Sequence, residues 1–282
     1  MRANSAAQID AKYRLFKKGQ TVVDLGYAPG SWSQVAVERT KPTGRILGID
    51  IIPAQPPKGA SSIQGNFLSK DVQAEVKRFL ADPDRGRPRQ QLYSSEDRDA
   101  AVDEIQEQQS YIDMERHRNS EMADPEANPV KRGSTRKDAD QIKRGKEDIG
   151  KMVDIVLSDM CEPWPQTEGF WKKTLSDPYL RMMNTSGINF RDHAGSMDLC
   201  AAALQFAYDT LRVGGHFICK FYQGAEDKQL EKQLKKLFAV VHREKPESSR
   251  SESKEAYFVA LRRKAGVKVD DVFGDDGGSF MG

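Results

Sequence analysis

Thirteen residues near the start of the chain constrain it most: Val22-Val23-Asp24-Leu25-Gly26-Tyr27-Ala28-Pro29-Gly30-Ser31-Trp32-Ser33-Gln34. They read as a short apolar strand, a glycine-bearing turn and the opening of a helix. Gly26 and Gly30 carry no Cβ, so backbone in this turn can come close to a ligand. About a strand and a helix later, Arg45-Ile46-Leu47-Gly48-Ile49-Asp50 ends a second strand on a carboxylate. An acid at that place can accept both hydroxyls of a ribose. The two strand ends together describe a nucleoside pocket at the carboxyl edge of a parallel sheet.

The glycine spacing narrows the ligand. A dinucleotide site calls for G-x-G-x-x-G, so that pyrophosphate rests on a helix N-terminus. Here the spacing is G-x-x-x-G, with Pro29 where a slim, flexible residue is needed. S-adenosylmethionine, which carries adenosine and an amino-acid tail but no phosphate, fits this turn better. The same pattern is also compatible with an ordinary strand-to-helix turn that binds nothing.

A chain of 282 residues holds one α/β domain with extra segments. Lys and Arg number 44 against 42 for Asp and Glu, so any RNA affinity must come from local basic patches. The three cysteines, Cys161, Cys200 and Cys219, have no paired spacing and suit a reducing compartment. No apolar run approaches a membrane span, and the first residues are too short for an organellar presequence. His193 is read as a loop residue without metal-spaced partners, the other three histidines give no chemical signal, and no metal site is expected.

Strands are expected at 21–24, 45–50, 61–65, 153–159, 216–221, 238–243 and 256–262, with helices at 70–81, 198–212 and 226–237. Gly214-Gly215 is read as closing the second of those helices. The alternation predicts a doubly wound, Rossmann-like α/β sheet of about seven strands, the last one antiparallel. Residues 1–81 form the first, cofactor-binding half of the domain and 151–264 the second. Between them, 82–150 has no Phe, Trp or Cys and dense mixed charge, and is expected to be a largely disordered insertion. Residues 265–282 are expected to be a flexible tail.

Asp159 and Lys220, at the ends of neighbouring strands, would face each other across the pocket mouth. Methyl transfer to a ribose hydroxyl needs in-line approach and a destination for the hydroxyl proton. A lysine accepts that proton only if its pKa is lowered; otherwise its ammonium steers and stabilises a developing alkoxide. Asp159 can orient the lysine or hold the hydroxyl, and Glu255 can hold the basic groups in place. Strand-end charges are also often merely solvated.

In this arrangement the chain resembles the FtsJ/RrmJ family of ribose 2'-O-methyltransferases, most closely its mitochondrial ribosomal-RNA branch. The resemblance covers 8–80 and 152–262. It is carried by Tyr13-Arg14-Leu15-Phe16-Lys17-Lys18-Gly19, the 24–34 turn, Leu157-Ser158-Asp159-Met160, Gly214-Gly215-His216-Phe217 with Cys219-Lys220, and Lys245-Pro246-Glu247-Ser248-Ser249-Arg250. It implies that Gly26, Gly30, Trp32, Asp50, Asn66 and Asp159 bind S-adenosylmethionine. It also implies that Lys220 is the proton acceptor, with Asp159 and Glu255 as further catalytic members of a Lys-Asp-Lys-Glu set. The substrate is then ribosomal RNA of the large mitochondrial subunit (a uridine), the site mitochondrial and the protein a monomer.

Two positions depart from the family pattern. Asn66 stands where the family has an adenine-contacting Asp, and its amide can still donate and accept at a base edge. Ser5 stands where the family has its first lysine and supplies no cation. An altered N-terminus, compensation by Lys12, Lys17 or Lys18, or lost activity each accounts for this; the match begins abruptly at Gln8, which favours the first. RNA contacts are expected at Phe170, Trp171, Lys172, Lys173, Arg181, Arg191, Lys245 and Arg250, although the two aromatics could equally cover the sheet edge. Methylation of tRNA or an mRNA cap, or a non-catalytic ribosome-assembly role, are the alternatives. A nicotinamide oxidoreductase is disfavoured by the absent G-x-G-x-x-G.

Overall fold

A computed structural model describes residues 5–88, 151–162, 164–165, 182–183, 186, 188–247 and 253–274. Residues 89–150 of the insertion, and Phe170, Trp171, Lys172, Lys173, Arg181 and Arg250, lie outside the described residues.

Seven strands form one sheet. They are β1 (Thr21–Leu25), β2 (Arg45–Asp50), β3 (Ala60–Gln64), β4 (Val153–Ser158), β7 (Leu211–Tyr222), β8 (Phe238–Glu244) and β9 (Glu255–Arg263). The two-residue strands β5 (Trp164–Pro165) and β6 (Met182–Met183) pair separately. The order is β3-β2-β1-β4-β7-β9-β8. Strands β3 through β7 run parallel, and β9 enters antiparallel between β7 and β8.

Strands β1 and β4 are buried at every residue, because a central parallel strand is covered on both faces. Alternation along β1 sends Val22 to one face, with Ala6 and Ile9 of α1 (Ser5–Tyr13) and Trp32, Val35 and Ala36 of α2 (Ser31–Thr40). Val23 and Leu25 go to the other face, against α3 (Lys70–Ala81), α4 (Asn189–Thr210) and α5 (Asp227–Leu237). Strand order reverses between β1 and β4. A crevice opens there at the carboxyl ends of the strands.

Helix α4, the glycine pair after it, the tail and the start of the charged segment differ from expectation. Helix α4 begins at Asn189 and ends at Thr210, with the Leu211 N–H bonded to Ala207 O. Gly214-Gly215 lies inside β7 and does not close the helix. The pairing of β7 with β4 jumps from Val153↔Leu211 to Ile155↔His216. Gly214 takes φ +83° in that bulge, and a Cβ on Gly215 would lie 2.9 Å from Asp154 O. The tail is not free along its whole length: 265–274 includes α6 (Val269–Phe273), whose Val272 is buried. Phe273 meets the Tyr208 ring edge-on at 5.9 Å, and the Tyr208 hydroxyl donates to Val267 O at 2.9 Å. The first residues of the charged segment pack as well, since Arg87 Nη1 donates to Thr43 O at 2.6 Å and to Gly19 O at 3.3 Å.

Candidate active site

The site is built from the turn after β1. Gly26 takes φ +74°, and a Cβ there would lie 2.7 Å from Met160 Cα. No other residue lets the turn approach the chain leaving β4 so closely. Gly30 takes φ +111° as the N-cap of α2. Behind the turn, Asp24 is fully buried, and its Oδ2 accepts from Ser33 Oγ at 2.6 Å. Its Oδ1 has no hydrogen-bond partner. Burial, with Asp159 and Asp50 adding repulsion against the Ser33 bond, pushes the Asp24 carboxyl up to about 7.

Asp50 ends β2 with each oxygen held by a backbone amide, Oδ2 by Ala28 N at 3.0 Å and Oδ1 by Ile52 N at 2.9 Å. Each oxygen keeps a lone pair for a further donor. Asn66 Oδ1 accepts from Leu68 N at 3.0 Å. That bond sets the amide's orientation and leaves its NH₂ to donate.

A cavity of about 440 Å³ is lined by Gly26, Asp50, Asn66, Asp159, Asp198 and Lys220 among others. It lies within the size range of small-molecule sites. The carboxylates of Asp50, Asp159, Glu162 and Asp198 line it, and a site lined by one sign of charge repels a phosphate and favours a cationic ligand. A nucleoside with a positively charged tail fits these residues.

At the end of the cavity, Lys220 Nζ donates to Asp159 O at 2.8 Å and lies 3.2 Å from Asp159 Oδ1. Lys220 is 8% exposed and Asp159 29%. Burial alone would lower the lysine pKa, but Asp159, Cys161 and Glu255 outweigh it, and the net direction is upward. Lys220 is an ammonium at neutral pH. Tyr257 on β9 donates its hydroxyl to the same Asp159 Oδ1 at 2.9 Å, and the Ser5 side chain is near enough to act on the Tyr257 phenol. Burial, then Asp159, drives the Tyr257 phenol far upward, so it stays a donor. Ser5, which supplies no cation, thus lies by Tyr257, whose hydroxyl reaches Asp159. Lys12 does not substitute: it bonds Glu244 at 2.7 Å on β8. Lys17 lies by His216, where burial first and then Lys17, Arg262 and Arg212 lower the imidazole to about 4.

Five sequence-derived residues therefore share one cavity: Gly26, Asp50, Asn66, Asp159 and Lys220. Gly30, Trp32 and Glu255 do not line it. Gly30 caps α2, and Trp32 is buried with its ring 5.8 Å from that of Tyr257. Glu255 opens β9 opposite Tyr222, whose hydroxyl donates to Glu255 Oε1 at 3.0 Å. Tyr222, Tyr257 and Asp198 were not singled out from sequence. The first two could have been found two residues beyond Lys220 and Glu255, on the same sheet face by strand alternation. Among the described residues, no group of His, Cys, Asp and Glu could hold a metal, and no helix is long and apolar enough to cross a membrane.

With this geometry in hand, likeness to known proteins is informative. Over 270 residues the chain is 42% identical to the mitochondrial rRNA methyltransferase 2 of Saccharomyces cerevisiae, covering 94% of this chain and 81% of the relative. It is 28% identical to the ribosomal RNA large subunit methyltransferase E of Granulibacter bethesdensis, covering 90% and 70%. A crystal structure of a ribosomal RNA methyltransferase from Plasmodium falciparum shares the fold, with TM-score 0.52, 22% identity and coverage of 93% and 98%. The model of the FtsJ-like methyltransferases matches residues 6–263, a span that begins within α1 and ends with β9. The chain belongs to the FtsJ-like methyltransferase family.

Proposed function

We propose that this protein is an S-adenosylmethionine-dependent 2'-O-ribose methyltransferase acting as a monomer on large-subunit ribosomal RNA in mitochondria. The names of its relatives support the substrate and the compartment. The observation that carries the chemistry is the pairing of buried Lys220 with half-buried Asp159 in a cavity lined by carboxylates. Asp50 would hold the ribose of the cofactor, the Asn66 amide its base, and the turn at Gly26 would let backbone approach its amino-acid tail. When bound, the cofactor supplies a methyl group on a sulfonium.

Lys220 enters as a cation and holds the RNA 2'-oxygen as negative charge develops on it. The role of proton acceptor, which the family resemblance gives to Lys220, falls instead to Asp159. Its Oδ1 is occupied by Tyr257 and Lys220, and Oδ2 would take the proton that the sugar hydroxyl gives up. Glu255, steadied by Tyr222, keeps Lys220 charged. Arg191, exposed on the first turn of α4, would contact RNA phosphate.

Ser5 favours a second reading, a non-catalytic ribosome-assembly factor. Calorimetric titration with S-adenosylmethionine and a single-turnover methylation assay on ribosomal RNA separate the two. Expected are cofactor binding by both wild type and Lys220→Ala, with transfer by wild type alone. Binding without transfer, cured by Ser5→Lys, would mean that Tyr257 beside Ser5 does not replace the family lysine; no transfer by either form would favour the assembly factor.

A further inference from the structure

Strand β7 outruns its neighbour at the catalytic end. Its pairing with β4 stops at Ser158↔Cys219, whereas its pairing with β9 continues through Lys220↔Tyr257 to Tyr222↔Glu255. On the side facing away from β9, the β4–β7 ladder among the described residues ends before Lys220 and Tyr222, and their buried backbone groups bond to side chains. One stripe of α4 supplies the bonds. Cys200 Sγ donates to Lys220 O at 3.1 Å, Ser196 Oγ accepts from Tyr222 N at 3.1 Å, and His193 Nδ1 lies 2.7 Å from Tyr222 O. These residues recur at helical spacing and face the strand end together.

His193 does more than close the stripe. Its Nε2 lies 3.1 Å from the Glu226 N–H at the start of α5, so the two ring nitrogens clamp both ends of the connection leaving the catalytic strand. An amide N–H demands an acceptor, and a carbonyl demands a donor. The ring must then be neutral, protonated on Nδ1 and bare on Nε2. The imidazole is buried, and a Cβ on Gly224 would lie 2.4 Å from its Cγ. That close packing holds the ring in one pose. Placed in a loop by the sequence alone, His193 belongs to the buried face of α4.

We infer that His193 is a positioning residue for methyl transfer: as the neutral Nδ1–H tautomer it holds the overhanging end of β7, and with it Lys220 and the Tyr222–Glu255 pair, in the reactive arrangement. The inference rests on the reading of Lys220 as the catalytic cation. His193 itself touches no reacting atom. A displacement of about 1 Å at a reacting group costs on the order of 100-fold in rate.

The test compares wild type, His193→Leu and His193→Asn, whose amide restores a donor toward Tyr222 O. Single-turnover methylation of ribosomal RNA and calorimetric affinity for S-adenosylmethionine are measured on each full-length protein. The expected result is a rate loss of about 100-fold for His193→Leu, under tenfold for His193→Asn, and affinity within about threefold for both. A full rate in His193→Leu, or loss of rate and affinity in step, overturns the inference. Should His193→Leu fail to fold, imidazole-nitrogen NMR on wild type decides: an Nε2–H tautomer or a doubly protonated ring at neutral pH overturns it as well. A wild type that binds cofactor but transfers no methyl group refutes the functional reading instead, and the tautomer then reports the clamp alone.

Discussion

Asp24→Asn makes the sharpest test of how the cofactor turn is built. The Asp24 carboxyl is fully buried, with Oδ1 lacking a partner and Oδ2 bonded to Ser33. It titrates at about 7 in the fold against an ordinary 3.8, a gap worth about 4 kcal/mol. Below about pH 4 the carboxyl is protonated in both folded and unfolded chains and contributes no pH dependence. As pH rises, the unfolded chain loses its proton first, and the folded carboxyl follows only near pH 7. The native state binds more protons across that window, so stability falls from about pH 4 to about pH 7 and is flat above about pH 8. Asparagine has no proton to lose. Its Oδ1 still accepts from Ser33, while its NH₂ takes the unpartnered place at a pH-independent cost of about 1–3 kcal/mol. The slope is therefore the prediction and the offset is not. Denaturant unfolding of cofactor-free wild type and Asp24→Asn at pH 5 and pH 8 should show the variant gaining roughly 2–3 kcal/mol on wild type over that interval. Parallel stability curves would refute the argument, because they would mean that Asp24 is ionised in the fold throughout and that something solvates Oδ1.

Gly26→Ala should abolish measurable cofactor affinity: a side chain at φ +74° costs about 1–2 kcal/mol, and its Cβ would press on the Met160 backbone that lines the cavity. Titration calorimetry reads this directly, and retention of affinity within a few-fold would show that the turn has room to shift. Tyr257→Phe keeps the ring against Trp32 but removes the donor to Asp159 Oδ1. Loss of a hydrogen bond to a charged acceptor, about 1.5–3 kcal/mol, predicts a methylation rate lower by about 10–100-fold with cofactor affinity little changed. A Tyr257→Phe enzyme as fast as wild type would leave Asp159 oriented by Lys220 alone.

What could be read from the chain, and what could not, divides along the range of the interactions involved. Gly26, Asp50, Asp159 and Lys220 each sit at the end of an apolar run, and a parallel sheet gathers strand ends at one edge. Locating the runs therefore located the cavity. The roles of these residues were another matter. The charge state of Lys220 is decided by Asp159, Cys161 and Glu255 against burial, and no spacing rule brings residues 61, 59 and 35 positions away to one ammonium. Trp32 sits in the motif with its side chain on the α1–α2 side of the sheet, where Val22 and Val35 pack, a placement that the motif alone does not convey. Gly214-Gly215 carries a helix-stop signal that the β7 bulge uses for another purpose, because a tight backbone approach and a helix end call for the same residue. Ser5 was conspicuous only as a missing charge. Its meaning depends on Tyr257, 252 residues away, which answers to the same carboxylate by a hydrogen bond where a cation would answer by attraction. A hydrogen bond from a phenol held un-ionised orients Asp159 without neutralising it. Asp159 then answers to one cation, Lys220, and not to two, which leaves its free oxygen the better acceptor for a proton from the sugar.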